Sequence, residues 1–229
     1  MDFAWCDRCA KQGWALFFIF VSLLATLILA PLITGLALLG IKSERLRRTI
    51  VVVMTAFLAV CSINLVWRMF PSDFTTFHVD DHLINEVMLG VEVLMAGYVI
   101  YLGVKHKRPL IVAFMLAQSA LMIWFELAYG KQMHVGQNLF VDKFSIIMAL
   151  INGVVGGLIC VYALGYMKEY HEHHHPELKD RRPFLFGTMF IFLGAMFGLV
   201  FANNLVWFFF FWEITTLCSF FLIGYKEDE

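Results

Sequence analysis

The sequence predicts an all-α fold, a polytopic bundle of about seven transmembrane helices with the N-terminus outside and the C-terminus inside. Three observations carry this. Of the 229 residues, 61% are hydrophobic and 15% are charged, against roughly 25% charged in soluble domains. Mean hydropathy is +0.77. The apolar residues fall into runs long enough to cross a bilayer, which needs roughly 20 residues at 1.5 Å of rise each. A formal net charge of −1, with no stripe of Lys and Arg, argues against a nucleic-acid partner.

The spans follow in order at about 14–40, 49–69, 86–104, 109–129, 144–167, 184–202 and 205–224. The first is too long for the apolar core of a signal peptide, so it reads as a spanning helix, and Pro31 predicts a kink in it. The last two are separated by little more than Asn203 and Asn204, which predicts a tight helical hairpin. Lys42, Arg45, Arg47 and Arg48 follow the first span; Lys105, Lys107 and Arg108 follow the third; Lys168, Lys179, Arg181 and Arg182 follow the fifth. Basic loops stay in the cytoplasm. The intervening loops carry Asp73, Asp80 and Asp81, or the weakly charged GKQMHVGQN stretch. That alternation sets the orientation, and a cell inner (plasma) membrane is the expected location.

The polar break from Gly130 to Asn138 suggests two regions, a four-span part over 1–137 and a three-span part over 138–229. Gly153 with Gly157, and Gly194 with Gly198, have the GxxxG spacing that lets helices approach closely in lipid. Helix packing within the bundle is the expected use of both.

Carboxylates within spans are the candidate functional groups, because a charge at the bilayer centre costs roughly 2.5–3.5 kcal/mol on insertion scales. Glu126 lies near the end of its span and can reach the interface. Glu92 lies nearly two turns into the third span. Glu213 stands within WFFFFWEITTLCSF, among seven aromatics, about 12 Å along a helix that begins at Leu205. Thr216 shares its face and Ser219 lies at the edge of that arc, so hydroxyls are available to support the carboxyl. Burial would hold a proton on such a group and suit it to a relay; a neutral carboxyl joining helices by hydrogen bonds is the alternative.

Other polar clusters carry less. Cys61, Cys160 and Cys218 lie in apolar runs and read as small hydrophobes. Cys6 and Cys9 form a lone CxxC with no second pair, which suits a disulfide better than zinc. YHEHHHPELKD places His171, His173, His174 and His175 in a basic-side loop without the spacing of a fixed metal site. No metal or cofactor is expected.

The stretches VDKFSIIMALINGVVGGLICVYALGYM and FIFLGAMFGLVFANNLVWFFFFWEITTLCSFFLIGY resemble the antiporter-like proton-channel subunits of complex I, a family that includes Mrp antiporter subunits and membrane subunits of energy-converting hydrogenases. The resemblance rests on an ordered series. It comprises Asp142 opening a helix, Tyr166-Met167 closing it, Asn203-Asn204-Leu205, Trp212-Glu213, and Cys218-Ser219 before Leu222-Ile223-Gly224. It covers roughly residues 138–229; the first four spans match no family known to us.

The resemblance implies that Glu213 occupies the position of the family's proton-channel glutamate, and that any redox chemistry belongs to other subunits. It implies other membrane subunits as partners, one of them supplying the channel lysine of the family, since no Lys falls within a predicted span here. Family members continue through further helices, so the chain is expected to be a split subunit, a fragment or a decayed copy. The competing readings are an assembly subunit with a structural glutamate, and a receptor-like seven-helix protein.

Overall fold

The computed structural model describes residues 7–69, 74–77, 82–129, 137–173 and 181–225, with side chains defined from residue 21 onward over most of these. In chain order the elements are α1 (Asp7–Gly40), α2 (Glu44–Met69), β1 (Phe74–Phe77), α3 (His82–Lys105), α4 (Pro109–Tyr129), β2 (Leu139–Asp142), α5 (Lys143–Leu150), a π-helical segment (Ile151–Gly156), α6 (Gly157–His173), α7 (Arg182–Phe201) and α8 (Leu205–Ile223). Among the described residues six helical stretches are long and apolar enough to cross a membrane, and Pro109–Phe125 is a shorter apolar one. α5, the π segment and α6 together make one of the six, Lys143–Tyr170. All seven expected spans are thus helices, and the Asn203-Asn204 hairpin closes as expected. The chain is a multi-pass membrane protein.

Two compact units divide the chain, one of Met1–Phe77 with Leu139–Glu229, the other of His78–Asn138. One boundary falls between Asn138 and Leu139. The other falls between β1 and α3, because α1 and α2 pack with the C-terminal helices instead of standing apart from them.

Glycine explains that packing. α1 and α7 run antiparallel, with Gly35 opposite Gly187. A Cβ built on Gly35 would stand 2.7 Å from the Gly187 carbonyl oxygen, and one on Gly194 would stand 2.9 Å from the Ile28 carbonyl. The backbones themselves are in contact there, and small residues are what permit it in lipid. Gly153 and Gly157 do the same for α2, meeting Ser62 and Thr55. Both expected GxxxG pairs therefore serve helix packing, although Gly194 faces α1 while Gly198 faces Phe211 of α8.

Two features lie beyond an all-helical expectation. β1 and β2 pair antiparallel, Phe74 opposite Asp142 and Phe77 opposite Leu139. Leu139 also bridges Ala202, at the turn between α7 and α8. One end of the unit is thereby tied across three connections. At the other end the first turns of α2 and α7 meet. Arg182 Nη1 lies 3.6 Å from Glu44 Oε2, and the buried Arg47 guanidinium lies 5.9 Å from the centroid of the Phe186 ring. The second feature is the π segment, which widens the helix inside the span and carries Gly153. Asn152 Nδ2 donates there to the Leu193 carbonyl at 3.0 Å, fastening the segment to α7.

Asp142 opens α5 through a capping box. Its Oδ1 accepts from the Ser145 N–H at 2.7 Å, and the Ser145 hydroxyl accepts from the Asp142 N–H at 2.8 Å. Hydrogen bonds from the Ser145 hydroxyl, and then from its N–H, hold the Asp142 carboxyl below its ordinary range. A depressed folded-state value means that the cap stabilises fully above the ordinary carboxyl range, and that this is lost as pH falls through the folded value. Asp142→Ala is expected to cost about 1 kcal/mol at neutral pH, seen as a lower melting midpoint in detergent. The gap from the parent should shrink once the pH is taken below the folded value.

Candidate functional site

α8 carries the site because its sequence combines an apolar helix with one acid. Asn204 caps it, its side chain accepting from the Val206 N–H at 2.9 Å. Trp207, Phe210, Phe211 and Cys218 are buried. They form the face packed on α7, where Phe211 meets Gly198 and Phe221 lies edge-on to Phe184 with ring centroids 5.4 Å apart. At about 100° per residue, Glu213 stands about 120° round the helix from that packed line. It is half-buried, beside the exposed Trp212 and Thr216. Within the unit α8 is peripheral: 22% of its span is buried, against 61% for α7.

The hydroxyls near the carboxyl are arranged differently from a donor cradle. Thr215 and Thr216 both donate to the Trp212 carbonyl, at 2.7 and 3.0 Å, and Ser219 donates to the Thr215 carbonyl at 2.8 Å. A hydroxyl has one proton to give. With that proton on Trp212, Thr216 can serve Glu213 only as an acceptor, which suits a protonated carboxyl. The face that bears Glu213 thus carries the Thr216 hydroxyl, already donating within the helix, and open aromatic surface.

The other singled-out groups lie elsewhere. Glu92 stands in α3 and Glu126 in α4, both in the second unit; the Glu126 side chain lies outside the described residues. So does Cys6, and so do the Cys9 side chain, His174, His175 and the side chains of His171 and His173. Among the described residues no group of His, Cys, Asp or Glu could hold a metal ion. Cys61, Cys160 and Cys218 are free and buried, as small apolar residues would be. Sequence reading passed over Asn152. An amide inside an apolar span is a signal of the same kind as Glu213, and here it anchors the π segment.

Residues 124–176 match the family model of the N-terminus of NADH-ubiquinone oxidoreductase (complex I) chain 5. A Na(+)/H(+) antiporter subunit A1 of Staphylococcus haemolyticus is 31% identical over 98 residues, 42% of this chain and 11% of that protein. The subunit A1 of Staphylococcus aureus is 28% identical over the same length. An NAD(P)H-quinone oxidoreductase chain 5 of a Picosynechococcus species is 34% identical over 104 residues, 45% of this chain and 14% of that protein. The aligned stretch thus spans about a seventh or less of these curated relatives. Over somewhat under half its length, including α5 to α6, the chain is similar to the antiporter-like membrane subunits of complex I and of Na(+)/H(+) antiporters.

Proposed function

We propose that the chain is an ion-translocating membrane subunit of a redox-driven or antiporter complex in the plasma membrane, and that Glu213 is the group that takes up and releases the ion. The observation that carries this is the placement of a half-buried carboxylate about 12 Å along α8, on the side turned away from α7. A carboxylate at that depth is costly unless protein or water receives it. The most exposed span among the described residues of the unit therefore presents its polar group towards whatever covers α8. Other membrane subunits of the complex, one of them bearing an intramembrane cation, fit that face. Electron transfer belongs to those subunits, and this chain supplies the ion step.

The test is ion movement in sealed vesicles from cells with and without this chain, energised by the host complex and read as ΔpH and as Na⁺ uptake separately. Loss of either, restored by the reintroduced chain, supports the proposal. Unchanged movement of both ions overturns it.

Orientation is part of the same reading. Reporters fused after Lys107 and at the C-terminus are expected to face the cytoplasm, and one at Asp80 the outside. Glu44 with Arg182, and Arg47 with Phe186, lie together at the basic end of their unit, in keeping with it. A cytoplasmic reporter at Asp80 would reverse every span.

A further inference from the structure

We infer that α3 and α4 are an inserted transmembrane hairpin, and that the unit bearing Glu213 is complete without them. Three observations converge. The first is the pairing of β1 with β2. Phe77 and Leu139 are directly opposite one another, so their Cα atoms lie about 5 Å apart. The 61 residues between them leave and return at the same point. Without them, β1 and β2 would be the arms of an ordinary β-hairpin, which a two-residue turn can close.

The second is compactness. His78–Asn138 separates as its own unit, while the segments on either side of it belong to one unit together. The packing of α1 on α7, and of α2 on the π segment and α6, passes through Gly35, Gly187, Gly194, Gly153 and Gly157, and none of these lies in the hairpin.

The third is that the hairpin supplies its own folding and orienting signals. Its turn ends α3 in a paired cap, with the Arg108 N–H on the Gly103 carbonyl at 2.8 Å and the Lys107 N–H on the Val104 carbonyl at 3.1 Å. Lys107 takes the left-handed conformation (φ 53°) that such a cap requires, and Pro109 starts α4. Gly103 closes against Val112 across the turn. Lys105, Lys107 and Arg108 give this turn its own basic bias. Two spans also return the chain to the side it left. An even-numbered insertion therefore leaves the orientation of α5 to α8 unchanged, which an odd one would not.

The experiment uses the full chain in its membranes, in three arms. Thr75→Cys with Val141→Cys, and Thr76→Cys with Phe140→Cys, should cross-link on oxidation; failure of both overturns the strand pairing and with it the inference. Protease sites built in after Phe77 and before Leu139 should, once cut, leave the Glu213 unit's melting midpoint within about 2 °C of the uncut protein. A chain in which Asn-Gly replaces residues 78–138 should place its C-terminal reporter on the same side as the parent. A large fall in the midpoint on cutting, or a reversed reporter, shows that the hairpin is integral and overturns the proposal. If the protease fails to cut, the shortened chain decides: degradation in the membrane overturns the inference, and accumulation at parental level with parental topology supports it.

Discussion

With Glu213→Gln, the host complex assembles in normal amounts and still transfers electrons, while the ΔpH built by sealed vesicles falls on the order of a hundredfold, down to the vesicle leak. The amide has nearly the size of the carboxyl and can both donate and accept. It cannot titrate, so a group that must release its charge is disabled while a group that merely joins helices is not. The hydroxyl arrangement sharpens the contrast. The Thr216 proton is already given to the Trp212 carbonyl, so Thr216 offers residue 213 an acceptor in both forms of the protein. Helix packing on the α7 side is untouched, because the substituted position lies away from Phe211 and Gly198. Pumping at the parental rate, normalised to assembled complex, would leave Glu213 a structural hydrogen-bonding group. Thr216→Val should have a smaller effect on pumping, and none on assembly, since Thr216 is exposed and its donor bond is local to α8.

Gly187→Val is expected to cost about 3 kcal/mol or more, the upper end of the range for overpacking. A Cβ at Gly187 would stand 2.9 Å from the Gly35 carbonyl oxygen and 2.5 Å from Leu39 Cδ2. The leucine can rotate away, but the carbonyl belongs to a helix backbone and cannot. α1 and α7 must then separate along the interface on which the unit depends. The measurement is the melting midpoint, or the midpoint of an SDS titration, of detergent-solubilised protein. Gly165→Ala in α6 is the control, because nothing lies within 4 Å of a Cβ there; its midpoint should hold or rise slightly, as replacing an open helical glycine usually allows. Equal midpoints for Gly187→Val and the parent would mean that the close approach of α1 and α7 is not a source of stability.

The helices were legible because apolar length is a strong signal in a membrane protein. Lipid satisfies no backbone group, so each span must be helical along its length. One helix end was legible at the Asn203-Asn204 break, whereas Asp142 as a helix opener came only with the family resemblance. The strands were not legible. FTTF and LFVD are four residues each, and what pairs them is a partner more than sixty residues away. The association of α1 with α7 was also hidden, because Gly35 in LITGLALLG has no glycine at GxxxG spacing on its own helix; its partner is Gly187 on another. The π segment was hidden for a related reason. INGVVG reads as any small-residue helix, and the fit of Gly153 against Ser62 and of Asn152 to Leu193 becomes visible only once three helices are assembled. For Glu213 the position along α8 and the nearness of Thr216 were readable from residue spacing, whereas the side of α8 that packs on α7 and the direction of the hydroxyl protons were not.

The tie at Leu139 has a mechanical consequence. Leu139 pairs with Phe77 on one side and bridges Ala202 on the other, so the end of α8 next to Asn204 is pinned to the ends of α2 and α5. At the Ile223 end α8 is held through a side chain instead, with Phe221 edge-on to Phe184 of α7. A paired backbone yields less than a ring contact, so a tilt of α8 would turn about Asn204, with Glu213 about 12 Å along the helix. A tilt of about 5° moves the carboxyl by about 1 Å, which is the difference between a hydrogen bond at 2.7 Å and none. A displacement at the Ile223 end would therefore reach the Glu213 position at reduced amplitude and leave the pinned end of the unit at rest.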